Sequence, residues 1–282
     1  MSNLDGPLVS IVVATRNSGR TVAKCIESVR SQTYERKELV IIDGGSTDDT
    51  CEVLRQHARA ISHWKSEPDH GVYDAWNKGL AACSGDWVCF LGSDDYLWEH
   101  TVLATYADIL RNVPSSISVV YARVAILNKR GELLHIAGQP WQNARRKFRQ
   151  LLTIPHPGTM HRRSLFNRIG MFDTNFQYAG DYELLLRELP DREAIFVPEL
   201  IAVGMNWGGK TSSAQGMLQS LVESRRAQAK HGITPSVTWA FAFAIALGRA
   251  LLFGLLGDRL ASHIVDGIRV AAGKKPFWTR LT

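Results

Sequence analysis

The sequence predicts an α/β fold in which a mostly parallel sheet carries helices on both faces. Two observations lead there. Short β-branched runs alternate with stretches of helical periodicity through the first half of the chain, the pattern of a parallel sheet built from strand–helix units. The polar and acidic residues, moreover, gather just after the apolar runs, where such sheets bind ligands at the carboxyl ends of their strands.

Residues 8–14 (LVSIVVA) read as the first strand, and residues 19–32 as a helix with Val22, Ile26 and Val29 on one face. A strand at 39–42 (LVII) precedes a helix at 48–56. A short strand at 61–64 is followed by a helix at 72–82, a strand at 87–91 (WVCFL) and a helix at 101–111. The second half is less regular. Residues 118–127 and 133–136 flank Lys129-Arg130-Gly131 as a hairpin. Helices are expected at 164–169 and 181–189, a strand at 194–203, and a loop at Asn206-Trp207-Gly208-Gly209-Lys210.

The composition, 45% hydrophobic and 21% charged with a net charge of +6, describes a globular protein. The basic runs, such as Arg145-Arg146-Lys147-Phe148-Arg149, lack the dense aromatic interleaving of a nucleic-acid surface, so no nucleic-acid partner is expected. Cys25, Cys51, Cys83 and Cys89 form no C-x-x-C pair and read as buried thiols in a reducing cytosol. The leading MSNLDGP carries no charged-then-apolar signal segment.

The C-terminal part changes character. Residues 237–256 are almost continuously apolar, and roughly 20 such residues span a bilayer. In the next stretch Leu260, Ile264, Val265 and Ile268 share one helical face, and Asp258, Ser262, Asp266 and Arg269 the other. That pattern suits a helix lying in a membrane interface. The expected organisation is a catalytic domain at 1–235 and a membrane-associating helical region at 236–282, with residues 237–272 contacting the membrane surface.

Asp94-Asp95 follow the fourth strand. Two crowded anions need a neutralising partner, and a hard divalent ion shared with a phosphate is one reason for such a pair; Gly92-Ser93-Asp94-Asp95 is equally good turn chemistry. Asp43, last on its strand, should point into the same crevice. Neither G-x-G-x-x-G nor G-x-x-x-x-G-K-[ST] is present, which argues against dinucleotide and P-loop sites.

Taken in order, VSIVVATRN, VIIDGGSTDDT, SEPDHGVYDAWNKGL and GDWVCFLGSDD resemble the family-2 glycosyltransferases of the GT-A fold. The likeness is close over residues 8–96 and looser through HPGTMHRRSLF, GMFD and GDYELLLR. It implies a nucleotide-diphosphate sugar donor, with a UDP-sugar expected, a divalent Mn²⁺ or Mg²⁺, and transfer with inversion. Donor and nucleotide contacts would come from Thr15, Asn17, Asp43, Asp69, Asn77 and Asp94, metal ligation from Asp95 with Asp94, and the general base from Asp181. His156, Trp207, Gly208 and Gly209 would contact donor or acceptor, the last three in a donor-covering loop. Two departures stand out: Gly92 replaces the first acidic residue of the metal motif, and Gly180 the first of the pair that ends in Asp181. The acceptor expected is a lipid-linked saccharide on polyprenyl diphosphate, met at the cytoplasmic face of the plasma membrane, with Arg145–Arg149 near its phosphates. Transfer to a polyprenyl monophosphate, or a catalytically silent GT-A scaffold, are the alternatives.

Overall fold

The computed structural model describes residues 6–209 and 211–281; Lys210 and most of the leading MSNLDGP lie outside them. The elements in chain order are β1 (Val9–Thr15), α1 (Val22–Arg30), β2 (Lys37–Asp43), α2 (Thr50–Gln56), β3 (His63–Ser66), α3 (Val72–Ala82), β4 (Trp87–Gly92), β5 (Tyr96–Leu97) and α4 (Val102–Leu110). They continue with β6 (Val119–Leu127), β7 (Leu133–Ala137), α5 (Trp141–Phe148), β8 (Met160–Arg162), α6 (Arg163–Ile169), α7 (Gly180–Leu186), β9 (Ile195–Asn206), α8 (Ala214–Lys230) and α9 (Val237–Ala271). The strands form one sheet in the order β3-β2-β1-β4-β8-β6-β9-β5, with β7 paired on β6.

β1, β2, β3 and β4 run parallel, with Thr15 opposite Asp43 and Ala14 opposite Gly92. Their carboxyl ends therefore form one edge. Alternation along β1 sends Val9, Ile11 and Val13 to a core with α1 and α4, and Val12 to a second core with α3 and α7. Burial on both faces explains why these strands read as continuous apolar runs. The predicted hairpin is present as the antiparallel β6–β7 pair.

Besides the two-residue strand β5, three elements depart from the sequence expectation. α5 holds the basic run, β8 inserts antiparallel between β4 and β6, and α8 is a 17-residue helix with little apolar periodicity. In α5 the run is partly spent in ion pairs at exposed positions, Arg145 with Glu193 and Arg149 with Asp191 at 3.8 Å.

α9 is two helices in sequence, broken where Gly257 adopts φ 70° and ψ 167°. By length and composition it is apolar enough to cross a membrane, and only 6% of its most apolar window is buried. Phe241 is 67% exposed and Leu255 82%. Beyond Gly257 the amphipathic pattern is turned inside out: Leu260, Ile264 and Ile268 are exposed, whereas Ser262 and Asp266 are buried. The Asp266 carboxylate accepts from the backbone N–H groups of Phe277, Trp278 and Thr279 at 2.8–3.1 Å, and from the Thr279 hydroxyl. The tail thus satisfies the polar face and leaves the apolar face open.

Candidate active site

The loops after β1 and β2 are stitched together by Asn17, which sits at φ 49°, a left-handed conformation that asparagine tolerates. Its N–H donates to Ser46 Oγ at 2.7 Å, and its Oδ1 accepts from Thr47 N at 2.8 Å. Asp43 is buried, with its carboxylate taken up by the Ser46 N–H and hydroxyl and, at 2.6 Å, by the Ser66 hydroxyl. It holds the crevice wall together instead of projecting freely into it. Thr15, opposite Asp43, is buried with an unpartnered hydroxyl. Asp69 accepts from Gly71 N at 2.9 Å, fixing the entry to α3.

Asp94 and Asp95 close the same edge. An open cleft of about 820 Å³ is lined by Asn17, Ser18, Arg20, Asp48, Ser93 and Asp94. Asp95 is buried, and its Oδ2 accepts from Gly92 N at 3.1 Å. Burial, and then the Asp94 charge, push its carboxyl well above the ordinary range; burial also raises Asp94. Neither carboxylate forms an ion pair among the described residues. An anionic pair with so few donors, one member buried and the other lining the cleft, suits a divalent cation, which neutralises both. Among the described residues there is no group of three or more His, Cys, Asp or Glu side chains placed to hold a metal, so a cation here would complete its shell with phosphate oxygens and water, as Mg²⁺ and Mn²⁺ readily do. Gly92 belongs to this arrangement. A Cβ there would lie 2.9 Å from Asp94 Oδ1 and 3.2 Å from Asp95 Oδ2.

Asp181, on α7, is tied to the first turn of α3. The Tyr73 hydroxyl donates to Asp181 Oδ1 at 3.2 Å, and Tyr182 N donates to the same oxygen at 2.8 Å. Farther along α3, Trp76 Nε1 donates to Leu91 O at the end of β4. Burial is the main reason the Asp181 carboxyl is raised to about 6, against the lowering effect of these donors.

Two expected contacts lie elsewhere. Asn77 is occupied by backbone, donating to Phe172 O at 2.9 Å and accepting from Phe172 N at 3.0 Å. His156 is buried among Trp76, Phe90, His161 and Phe172, and desolvation lowers it to about 3; it is a neutral core ring instead of a loop contact. Trp207 packs edge-on against Phe277 at 4.9 Å, so the Gly208-Gly209 loop lies against the C-terminal tail. The preceding Asn206 donates to Asp94 O at 2.7 Å, joining that loop to the acidic pair.

Glu223 on α8 escaped the sequence reading. Its carboxylate accepts from the backbone N–H groups of Gln177, Tyr178 and Ala179 at 2.7–3.0 Å, immediately before α7. The fully buried Glu183 ties the same two helices through Lys230 and His231. Nothing local in the sequence marks Glu223, since α8 is polar around most of its surface.

A family model for glycosyl transferase family 2 matches residues 10–170. The chain belongs to that family. A PGL/p-HBAD biosynthesis glycosyltransferase of Mycobacterium bovis is 33% identical over 189 residues, which cover 64% of this chain and 69% of the relative. Among solved structures, the mannosyltransferase PcManGT of Pyrobaculum calidifontis, in complex with GDP-Man and Mn²⁺, superposes with a TM-score of 0.61 at 18% identity, over 99% of this chain and 84% of that one. S. aureus TarS 1–349 with UDP-GlcNAc gives 0.60 at 18% identity, over 97% and 90%. The chain matches 39% of the length of a longer TarS chain, with a TM-score of 0.58 at 20% identity and 76% of this chain covered. The fold is GT-A, and the family makes the chain a glycosyltransferase.

Proposed function

We propose that this glycosyltransferase moves one sugar, with inversion, from a nucleotide-diphosphate sugar to a saccharide carried on polyprenyl diphosphate, in cell-surface polysaccharide assembly at the cytoplasmic face of the plasma membrane. The observation that carries the reading is that two acidic sites are tuned differently: an anionic pair at Asp94-Asp95, the first of which lines the open cleft, and a lone carboxylate, Asp181, raised to about 6 and bonded to Tyr73.

Asp95, with Asp94, would hold Mn²⁺ or Mg²⁺, which when bound supplies positive charge to the leaving diphosphate. Thr15 offers its free hydroxyl to the nucleotide, while Asn17, Asp43 and Asp69 shape the pocket around it. Asp181 takes the proton of the acceptor hydroxyl as that oxygen attacks the anomeric carbon and the bond to the diphosphate breaks. A carboxylate near 6 is ionised at neutral pH yet basic enough to help, the compromise general-base catalysis favours. The Trp207–Gly209 loop excludes water that would otherwise hydrolyse the donor.

UDP is the expected nucleotide. The similar TarS fold was captured with UDP-GlcNAc, while PcManGT was captured with GDP-Man. The exposed apolar row of α9 supports a monotopic or peripheral attachment by residues 237–272 and hence a lipid-borne acceptor. Thermal-shift screening of sugar nucleotides with Mn²⁺ identifies the donor, because a ligand specific to the native state raises its stability by mass action. Incubation of that donor with lipid-linked saccharides, with the product anomer assigned by NMR, then tests the reaction. A retained anomeric configuration, or transfer confined to soluble acceptors, contradicts the proposal.

A further inference from the structure

Between the C-terminal tail and α9 lies a second cavity, of about 480 Å³, separate from the cleft at Asp94. Four cations line it: Arg249 and Arg269 from α9, and Lys275 and Arg280 from the tail. Arg249, Lys275 and Arg280 have no carboxylate within ion-pair distance among the described residues. Arg269 has Asp266 at 3.7 Å, but that carboxylate already serves the tail's backbone. Aromatic rings position the guanidinium groups, with Arg249 5.0 Å from the Trp278 ring and Arg269 5.5 Å from that of Phe277. Three cations without a carboxylate partner among the described residues, in a pocket of ligand-binding size, leave a charge to be met from outside. Arginine forks match phosphate oxygens in particular.

The source of that phosphate follows from the pocket's surroundings. Arg249 belongs to the apolar half of α9, four residues from the exposed Ile245 and two from the exposed Leu251. A ligand with its phosphate at Arg249 can lay an apolar chain along α9 without leaving the surface. Trp207, on the other wall, is the residue after Asn206, which is bonded to Asp94. The pocket therefore joins the apolar helix to the loop beside the acidic pair. The run on α5, by contrast, has two of its arginines paired.

We infer that the pocket formed by Arg249, Arg269, Lys275 and Arg280 binds the phosphate head of a membrane-borne amphiphile. It presents the sugar end of that lipid toward the Trp207 loop. This deepens the lipid-acceptor reading and rests on it for the identity of the lipid, though not for the binding itself.

The test uses the full chain and flotation with two vesicle types, phosphatidylcholine alone and phosphatidylcholine carrying a long-chain polyprenyl phosphate. Wild type is expected to bind both, and the second more tightly. Lys275→Gln, at an exposed position whose side chain makes no hydrogen bond or ion pair among the described residues, and Arg249→Gln should each lose about fivefold of the extra affinity, the effect of one basic residue at an anionic surface. Binding to phosphatidylcholine alone should not change, and Arg249→Lys should recover part of the loss. Retained phosphate preference in both Gln variants, with unchanged melting temperatures, overturns the pocket. So does full competition by inorganic pyrophosphate with no gain from the vesicle, which would mark a free polyphosphate as the ligand. Cation-dependent lipid binding without sugar transfer would sustain the pocket and sink the functional reading. Transfer to a polyprenyl-linked acceptor with an unaltered KM in the variants would do the reverse.

Discussion

The ring of Tyr73 fills the space beside Gly180, where a Cβ would lie 2.8 Å from it, and its hydroxyl donates to Asp181 next door. The ring is itself held by Phe172, stacked at 5.6 Å, and by Trp76. The glycine that departs from the family's acidic pair is thus a packing requirement of the residue that orients the remaining acid. Gly180→Ala should cost on the order of 1–3 kcal/mol, as overpacking a fixed aromatic does, read as a lowered denaturant midpoint with an unchanged slope.

Tyr73→Phe keeps the packing and removes one donor from Asp181. That donor lowers the Asp181 pKa, so its loss should move the acidic limb of the pH–rate profile upward from about 6 while the fold is unchanged. A profile superimposable on wild type would show that the hydroxyl has no hold on the carboxylate.

Asp181 also has a stability signature. Its folded-state value of about 6 is raised above the ordinary carboxylate value of 3.8, so the native state resists its ionisation. The penalty is absent below about 3.8, develops as pH rises through 6, and is complete above it. Asparagine keeps an acceptor for Tyr73 and Tyr182 and removes the charge. Asp181→Asn should therefore melt no lower than wild type at pH 7.5 and be more stable by on the order of 1 kcal/mol, with the difference vanishing near pH 4. A less stable variant at neutral pH would make Asp181 a structural anchor.

Mn²⁺ should raise the melting temperature of wild type in the presence of the correct nucleotide, and Asp95→Ala should abolish that rise. The variant's metal-free melting temperature should not fall steeply, since the substitution removes a buried carboxyl crowded by the Asp94 charge.

Asn77 was read as a donor contact and is instead a two-way clamp on the Phe172 backbone. Asn77→Ala leaves both backbone groups wanting and should cost about 1–3 kcal/mol. Its donor KM should change little, whereas a donor-binding residue would raise it.

The parallel half of the sheet was legible because its strands are buried on both faces and its helices are amphipathic; both periodicities survive in the local sequence. Asp43 and Asp94 could be placed at one edge because the parallel strands end there together. What the sequence hid was long-range or context-dependent. Asp43 is held by Ser66, 23 residues on, and Asn77 by a backbone 95 residues on. His156 sits between prolines, which suggests a loop, yet its ring is drawn into an aromatic core assembled from α3, β4, β8 and the loop carrying Phe172. Glu223 does its work on α7 from a helix whose polar surface gives no sign of burial. The amphipathic pattern after Gly257 was visible, but not that its polar face turns inward onto the tail.

The proposed role of Asp181 is to remove the acceptor proton. Its most direct test is the single-turnover rate of sugar transfer across pH, for wild type and Asp181→Asn, with donor and Mn²⁺ binding measured in parallel by thermal shift. The wild-type rate is expected to fall below about pH 6, as Asp181 protonates. The variant should bind donor and metal normally yet transfer at least about a hundredfold more slowly. Transfer by Asp181→Asn at the wild-type rate and with the same pH profile would contradict that role.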